Sequence, residues 1–275
     1  MPTTLDGSIA GMRPPFRFAK AVTATLVAGR PASLWALGGA PGAGGFDTTL
    51  NGVVLSSTSA LVNGQIPHYN PGAGTANVAR FSGVATQAGV LSLFDRLWHN
   101  GGFTITSTAA QNIVSPAWPS RCPTSGTDDT PSVNGNGVML AVEVSAAVGA
   151  GTPTITISYP NDQGVAGRTA TNILPTVASP AIGALYLIGL QAGDTGVRSV
   201  QSLTLSATWT SGTINLVAYR ALEDLELSGP GVPNAVDVLT GGNVRLYNGV
   251  VPWLVFTPNT TTAANVSGTY VETQG

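Results

Sequence analysis

Val138-Met-Leu-Ala-Val-Glu-Val-Ser145 sets Val138, Leu140, Val142 and Val144 on one side of an extended chain. Met139, Ala141, Glu143 and Ser145 fall on the other side. A period of two held over this length is the pattern of a β-strand with one buried face. The same pattern recurs on both sides of it. Ile155, Ile157 and Tyr159 alternate with Thr154, Thr156 and Ser158, and Leu203, Leu205, Ala207 and Trp209 alternate with Thr204, Ser206 and Thr208. Thr210-Ser-Gly212 lies between Leu203–Trp209 and Thr213–Tyr219, so these two runs read as a hairpin. Further strands are expected over Val78–Thr86, Val90–Trp98, Phe103–Ala109, Trp253–Thr257 and Val266–Val271. Many short strands broken by turn residues predict an all-β fold, a β-sandwich or jelly-roll-like domain. Ala221–Leu227 reads equally as a two-turn helix stopped by Gly229-Pro230 and as an edge strand.

Composition agrees with this reading. Of 275 residues, 9% are charged, against about 25% in an ordinary soluble domain. Gly (35) and Pro (19) are abundant, as turn-rich β structure requires. The formal charge is −2, so there is no basic surplus to neutralise phosphates, and a nucleic-acid partner is not expected. The most apolar run, Ala181–Leu190, is half the roughly 20 residues of a spanning helix, so no membrane span is expected. The opening residues lack the basic start and apolar run of an export signal. Cys122 is the single cysteine, which excludes an internal disulfide and fits synthesis in a reducing cytoplasm.

Strand signals are sparse over residues 1–80, limited to Ala21–Val27, Leu34–Leu37 and Val53–Leu55. This stretch holds Pro14-Pro15 and the tract Gly38-Gly-Ala-Pro-Gly-Ala-Gly-Gly45. An N-terminal arm or small irregular β domain is therefore expected over 1–80, followed by the β-sandwich domain over 81–275, with a soft boundary between Ala76 and Ala88. Residues 115–137, carrying Pro116, Pro119, Pro123, Pro131 and Asp128-Asp129, form a second irregular stretch. At over twenty residues it exceeds the usual loop length, which favours a functional or partner-contacting excursion.

Catalytic chemistry finds little support. The 38–45 tract lacks the Gly-Lys-Ser/Thr ending and the following helix of a phosphate loop, and reads as a flexible loop. His68 and His99 are the only histidines. His99 reads as a half-buried strand-end residue and His68 as a loop residue, and no Gly-x-Ser-x-Gly elbow accompanies them. Glycoside hydrolysis would require two carboxylates about 5–9 Å apart. Glu143, on the polar face of its strand, is expected to be solvated or paired with an arginine. Asp128-Asp129 with Asn134-Gly-Asn136 offers calcium-type oxygens without EF-hand spacing. No catalytic, cofactor or metal residue is assigned. Ten arginines against the single Lys20, with only four glutamates, is the bias of surfaces covered by partners. Trp118, among prolines, reads as an exposed anchor.

Several stretches carry a resemblance: Leu5-Asp-Gly-Ser-Ile-Ala-Gly-Met-Arg-Pro-Pro15, Asp95-Arg-Leu-Trp-His-Asn-Gly-Gly102 with Phe103-Thr-Ile-Thr-Ser-Thr-Ala-Ala-Gln111, Ser115-Pro-Ala-Trp-Pro-Ser-Arg121, Ser158-Tyr-Pro-Asn-Asp-Gln-Gly164, Gly167-Arg-Thr169, and Leu190-Gln-Ala-Gly-Asp-Thr-Gly-Val-Arg-Ser-Val200. Over nearly the whole chain the sequence resembles a family of virion structural proteins of tailed bacteriophages. The resemblance implies a non-enzymatic particle component, a capsid decoration (cement) protein. Such a protein is made in the bacterial cytoplasm, sits on the capsid surface of the virion, binds the major capsid protein and forms a homo-oligomer, trimer or dimer. The alternative it leaves is a tail or head-fibre component that binds a host-surface receptor or glycan. Expected partner contacts are Arg13, Arg17, Trp118, Arg121, Asp194 and Arg198. The last two sit on a strand–turn–strand at Leu190–Val200.

Overall fold

The computed structural model describes residues 4–22, 26–72, 74–240 and 244–275. The fold is all-β: strands hold 43% of the described residues and helices 3%, in large antiparallel sheets compatible with a sandwich or jelly roll. Thr4 caps the short helix Leu5–Ala10, its hydroxyl accepting from the Gly7 amide at 3.1 Å. The chain forms two compact units, Met1–Gly45 with Ser56–Asp95 and Ala221–Gly275, and Phe46–Leu55 with Arg96–Arg220. Residues 1–80 thus contribute to both units, and the expected boundary falls inside the strand Ala76–Ala85.

In the first unit Ala264–Gln274 is a central strand. Phe16–Val22 pairs along one side of it and Ala76–Ala85 along the other, and Asn234–Asp237 and Gly39–Ala40 form the outer edges. The N-terminal stretch is therefore built into a sheet. A second layer pairs Pro252–Pro258 with Ala32–Ser33 and with the first part of Gly89–His99. Phe18, Phe81, Leu91, Leu225, Phe256 and Tyr270 meet in one core. Of the expected strand Ala21–Val27, residues 23–25 lie outside the described residues. The Gly-rich tract is anchored. Lys20 Nζ donates to the carbonyls of Leu37 (2.7 Å) and Gly42 (2.9 Å), and the Trp35 indole donates to the Gly45 carbonyl at 2.8 Å. Gly44 lies against the face of Trp35, where a Cβ would come within 2.3 Å of the ring, so only glycine fits.

The second unit is a curled antiparallel sheet. Its order runs through Thr213–Leu227, Val138–Ala146, Leu185–Gly189, Arg168–Asn172, Ile155–Tyr159, Ser202–Leu205 and Gln111–Asn112. Leu140, Val142, Ile157, Tyr186, Leu203 and Leu216 share its core. The alternation read at Val138–Ser145 is present, but the expected polar face is also covered: Ala141 and Glu143 are fully buried. Residues 46–55 are strapped to this unit. Asn100 Nδ2 donates to the Leu50 carbonyl (2.7 Å), Trp98 Nε1 to the Asn51 carbonyl (3.1 Å) and Asn215 Nδ2 to the Asp47 carbonyl (3.1 Å).

Four local expectations are corrected. Ala221–Leu227 is a strand, the end of Thr213–Leu227, and not a helix, and its Leu222, Leu225 and Leu227 are buried where partial exposure was expected. The expected hairpin does not form. Ser202–Leu205 pairs with Ile155–Tyr159 and Gln111–Asn112, while Thr213–Leu227 pairs with Val138–Ala146. Phe103–Ala109 is a loop whose Phe103 and Ile105 enter the core. Leu190–Val200 is a turn following Leu185–Gly189, with isolated bridges at Gly196 and Val197 in place of a second strand. In each case alternation recorded which side chains are buried, and burial alone specified neither a ladder nor its partner.

Candidate functional site

Three of the stretches singled out in the sequence meet on the surface of the second unit: 115–121, 158–164 and 190–200. Asp194 fixes the turn from inside. Its carboxylate, 1% exposed, accepts from Tyr159 Oη (2.6 Å), Asn161 Nδ2 (2.8 Å) and the Arg168 guanidinium (2.9–3.1 Å). The Arg168 bonds, reinforced by the tyrosine and asparagine, hold the Asp194 pKa down at about 2. Burial, then the bond to Asp194, pushes the Tyr159 phenol up to about 12. Beside this network Asp162 Oδ2 accepts from Thr195 Oγ1 (2.8 Å) and Asn136 Nδ2 (3.1 Å). Asp194 is therefore a brace within the unit, with its donors already in place.

Trp118 corrects the expectation of an exposed anchor. It is 2% exposed, its Nε1 donates to the Val197 carbonyl at 2.6 Å, and its ring lies 5.6 Å from that of Trp98. Arg121 is 1% exposed, and its Nη2 donates to the Arg96 carbonyl at 3.1 Å. The proline-rich stretch runs along the surface with Trp118 and Arg121 turned inward, because an indole that finds a carbonyl is better buried than wet. Arg13 and Arg17 lie in the first unit. Both are exposed, and Arg13 Nε donates to Gln274 Oε1 at 2.9 Å.

Arg198 remains at the surface. Its backbone amide donates to the Pro160 carbonyl (2.9 Å), while among the described residues its guanidinium makes no hydrogen bond or ion pair. It stands in an open pocket of about 400 Å³ whose other walls are Ala117, Val133, Pro160, Ala166 and Ser199. Gly164, at φ +82°, completes the wall. A Cβ there would stand 3.2 Å from Arg198 Nη1, so the glycine gives the guanidinium room. Exposed Val133 is one of its walls, and exposed Val165 follows directly on the 158–164 stretch. The result is an apolar concavity with one unpaired cation and one hydroxyl.

Comparison with known proteins gives no family. No family model matches the chain, and no curated protein matches it. Among solved structures, an infectious bursal disease virus VP2 subviral particle is similar to 95% of this chain and 80% of its own, at 10% identity and a TM-score of 0.17. The Gt strain of infectious bursal disease virus is similar over 96% and 80%, at 9% identity and a TM-score of 0.18. At such scores the likeness carries no argument about this chain.

The residues weighed for catalysis are held internally. Glu143 pairs with Arg96 at 2.6 Å, both side chains fully buried, which is the arginine partner expected for it. His99 is fully buried, with the Asp47 amide donating to Nε2 (3.1 Å) and the Arg96 guanidinium on Nδ1 (3.0 Å). Burial, then the neighbouring guanidinium, holds its pKa well below the usual histidine value. His68 Nδ1 lies 2.8 Å from Glu272 Oε1, and the Tyr69 amide donates to Glu272 Oε2 at 3.1 Å. The oxygens considered for calcium bind their own loop. Asp128 Oδ1 accepts from the Thr130 amide (2.9 Å) and Asn134 Oδ1 from the Asn136 amide (3.0 Å). Among the described residues no three His, Cys, Asp or Glu gather as a metal set. Sequence reading missed Pro160, Ala166 and Val133 as pocket walls. Gly164, closing the Asn-Asp-Gln-Gly turn, was the available signal.

Proposed function

We propose that this chain is a structural, non-enzymatic component of a tailed-bacteriophage virion, a decoration protein that docks on the major capsid protein and stabilises the shell as a homo-oligomer. One observation carries the reading. Two ion pairs of the second unit are turned inward, Arg96 on Glu143 and Arg168 on Asp194, while Arg198 stands free among the small and apolar walls of its pocket. Such a surface, poor in Lys and Glu with an arginine set among apolar walls, has the composition of an interface core. A protein that binds only the assembled shell stabilises it by mass action. The buried tryptophans and paired carboxylates give the glycan-binding alternative no exposed platform at Trp118.

The test is add-back. Purified chain is mixed with particles stripped of it, and the particles are re-isolated and heated. Stoichiometric rebinding with a raised disruption temperature is the expected result. Failure to rebind, or rebinding without stabilisation, overturns the assignment.

A further inference from the structure

The pocket around Arg198 presents a cation that a carboxylate would match, and the chain carries exposed carboxylates in the same unit. The turn between the strands Cys122–Pro123 and Pro131–Ser132 is exposed from Gly126 to Thr130 and bears Asp128 and Asp129. The turn is held in shape by its own bonds. Ser125 Oγ accepts from the Asp128 amide (3.1 Å), Thr124 Oγ1 donates to the Thr130 carbonyl (2.9 Å), and Asn134 Nδ2 donates to the Thr124 carbonyl (2.7 Å). A preformed turn loses little freedom when it docks. Its flanking residues, Gly126, Thr127 and Thr130, are small. The pocket offers one unpaired guanidinium, the Ser199 hydroxyl, and walls from Ala117, Val133 and Pro160. A guanidinium meets a carboxylate with two parallel hydrogen bonds, and the apolar walls exclude water from the pair.

We infer that the Arg198 pocket receives the Asp128–Asp129 turn of a second copy of this chain, each copy giving its turn to one neighbour and taking a turn from another. Contacts of this head-to-tail kind close into rings when the rotation between copies allows it. The inference rests on the reading of the chain as a self-associating particle component.

The experiment is sedimentation velocity of the full chain at low and high salt. Three variants accompany it: Arg198→Glu, Asp128→Arg with Asp129→Arg, and all three substitutions together. All the altered side chains are exposed, and unchanged melting confirms folding. Wild type is expected to associate, more strongly at low salt. Each one-sided reversal weakens association about tenfold or more, and the combined reversal restores it. A monomeric wild type, an oligomer indifferent to both reversals, or a combined variant that stays dissociated each overturns the inference. Particle location is read separately. A solution monomer found on the capsid sinks this contact alone, whereas a charge-swapped oligomer absent from particles sinks the virion reading alone.

Discussion

Removing either partner of the Arg96–Glu143 pair leaves the other buried without its counter-charge. Both side chains have no exposed surface and their charged atoms are 2.6 Å apart. Arg96 also lies on His99 Nδ1 and over the Phe46 ring at 5.8 Å, so it has no route to water. Breaking a buried pair from one side costs about 3–5 kcal/mol. Glu143→Leu and Arg96→Met are each expected to destabilise the second unit by that amount. Independent effects would sum to about 6–10 kcal/mol. The double variant is expected to cost about 3 kcal/mol or less, because no unpaired charge remains. Urea unfolding followed by tryptophan fluorescence reads this, since Trp98 and Trp118 belong to the same core. At a slope of about 2 kcal/mol per molar, each single variant moves the midpoint by about 2 M. A single variant that costs less than about 1 kcal/mol, or an additive cycle, refutes the account of this pair.

Trp118→Ala should cost about 3–5 kcal/mol, measured by thermal or urea unfolding, because it empties a core site and orphans the Val197 carbonyl. A cost typical of a surface position, under about 0.5 kcal/mol, would return Trp118 to the exterior. Asp194 has its pKa lowered to about 2, so its stabilisation is complete above the unfolded value near 3.8 and lost as pH falls through about 2. Asp194→Asn should abolish that acid limb in a pH series of melting temperatures; an unchanged limb assigns it to other carboxylates. Lys20, lowered to about 8 by burial, binds fewer protons folded than unfolded between about pH 8 and 10.5, so stability should rise across that window. In Lys20→Met the rise should vanish, and a rise of equal size in the variant contradicts the assignment.

Much of the architecture was legible because burial imposes a period on sequence. Val138–Ser145 and Val266–Val271 alternate and are strands with their apolar side inward, and Val90–Trp98, also expected as a strand, is one buried on both faces. Partners were not legible. Leu203 alternates as well in a hairpin as in its actual place beside Ile155–Tyr159, because face and partner are separate choices. Ala221–Leu227 left helix and edge strand equally open because Leu222 and Leu225 are spaced as on a helix while Leu225 and Leu227 keep a strand's period of two. The candidate site was half readable. The Leu190–Val200 stretch marked Arg198 correctly as a surface residue, but Trp118 and Arg121 were misplaced because a proline-rich run looks like a loop wherever its side chains point. For Glu143 solvation and an arginine partner were both open, and burial on the expected polar face decides for the partner, yet nothing in the spacing of residues 96 and 143 names Arg96.

The proposed role is to cover a viral shell. Cryo-electron microscopy of intact particles from the source, with density for this chain located, tests it directly. Density at regular positions of the outer capsid lattice, with the face around Arg198 buried in a contact, is the predicted result. Density at a tail or fibre tip, or no such chain in the particle, would contradict it.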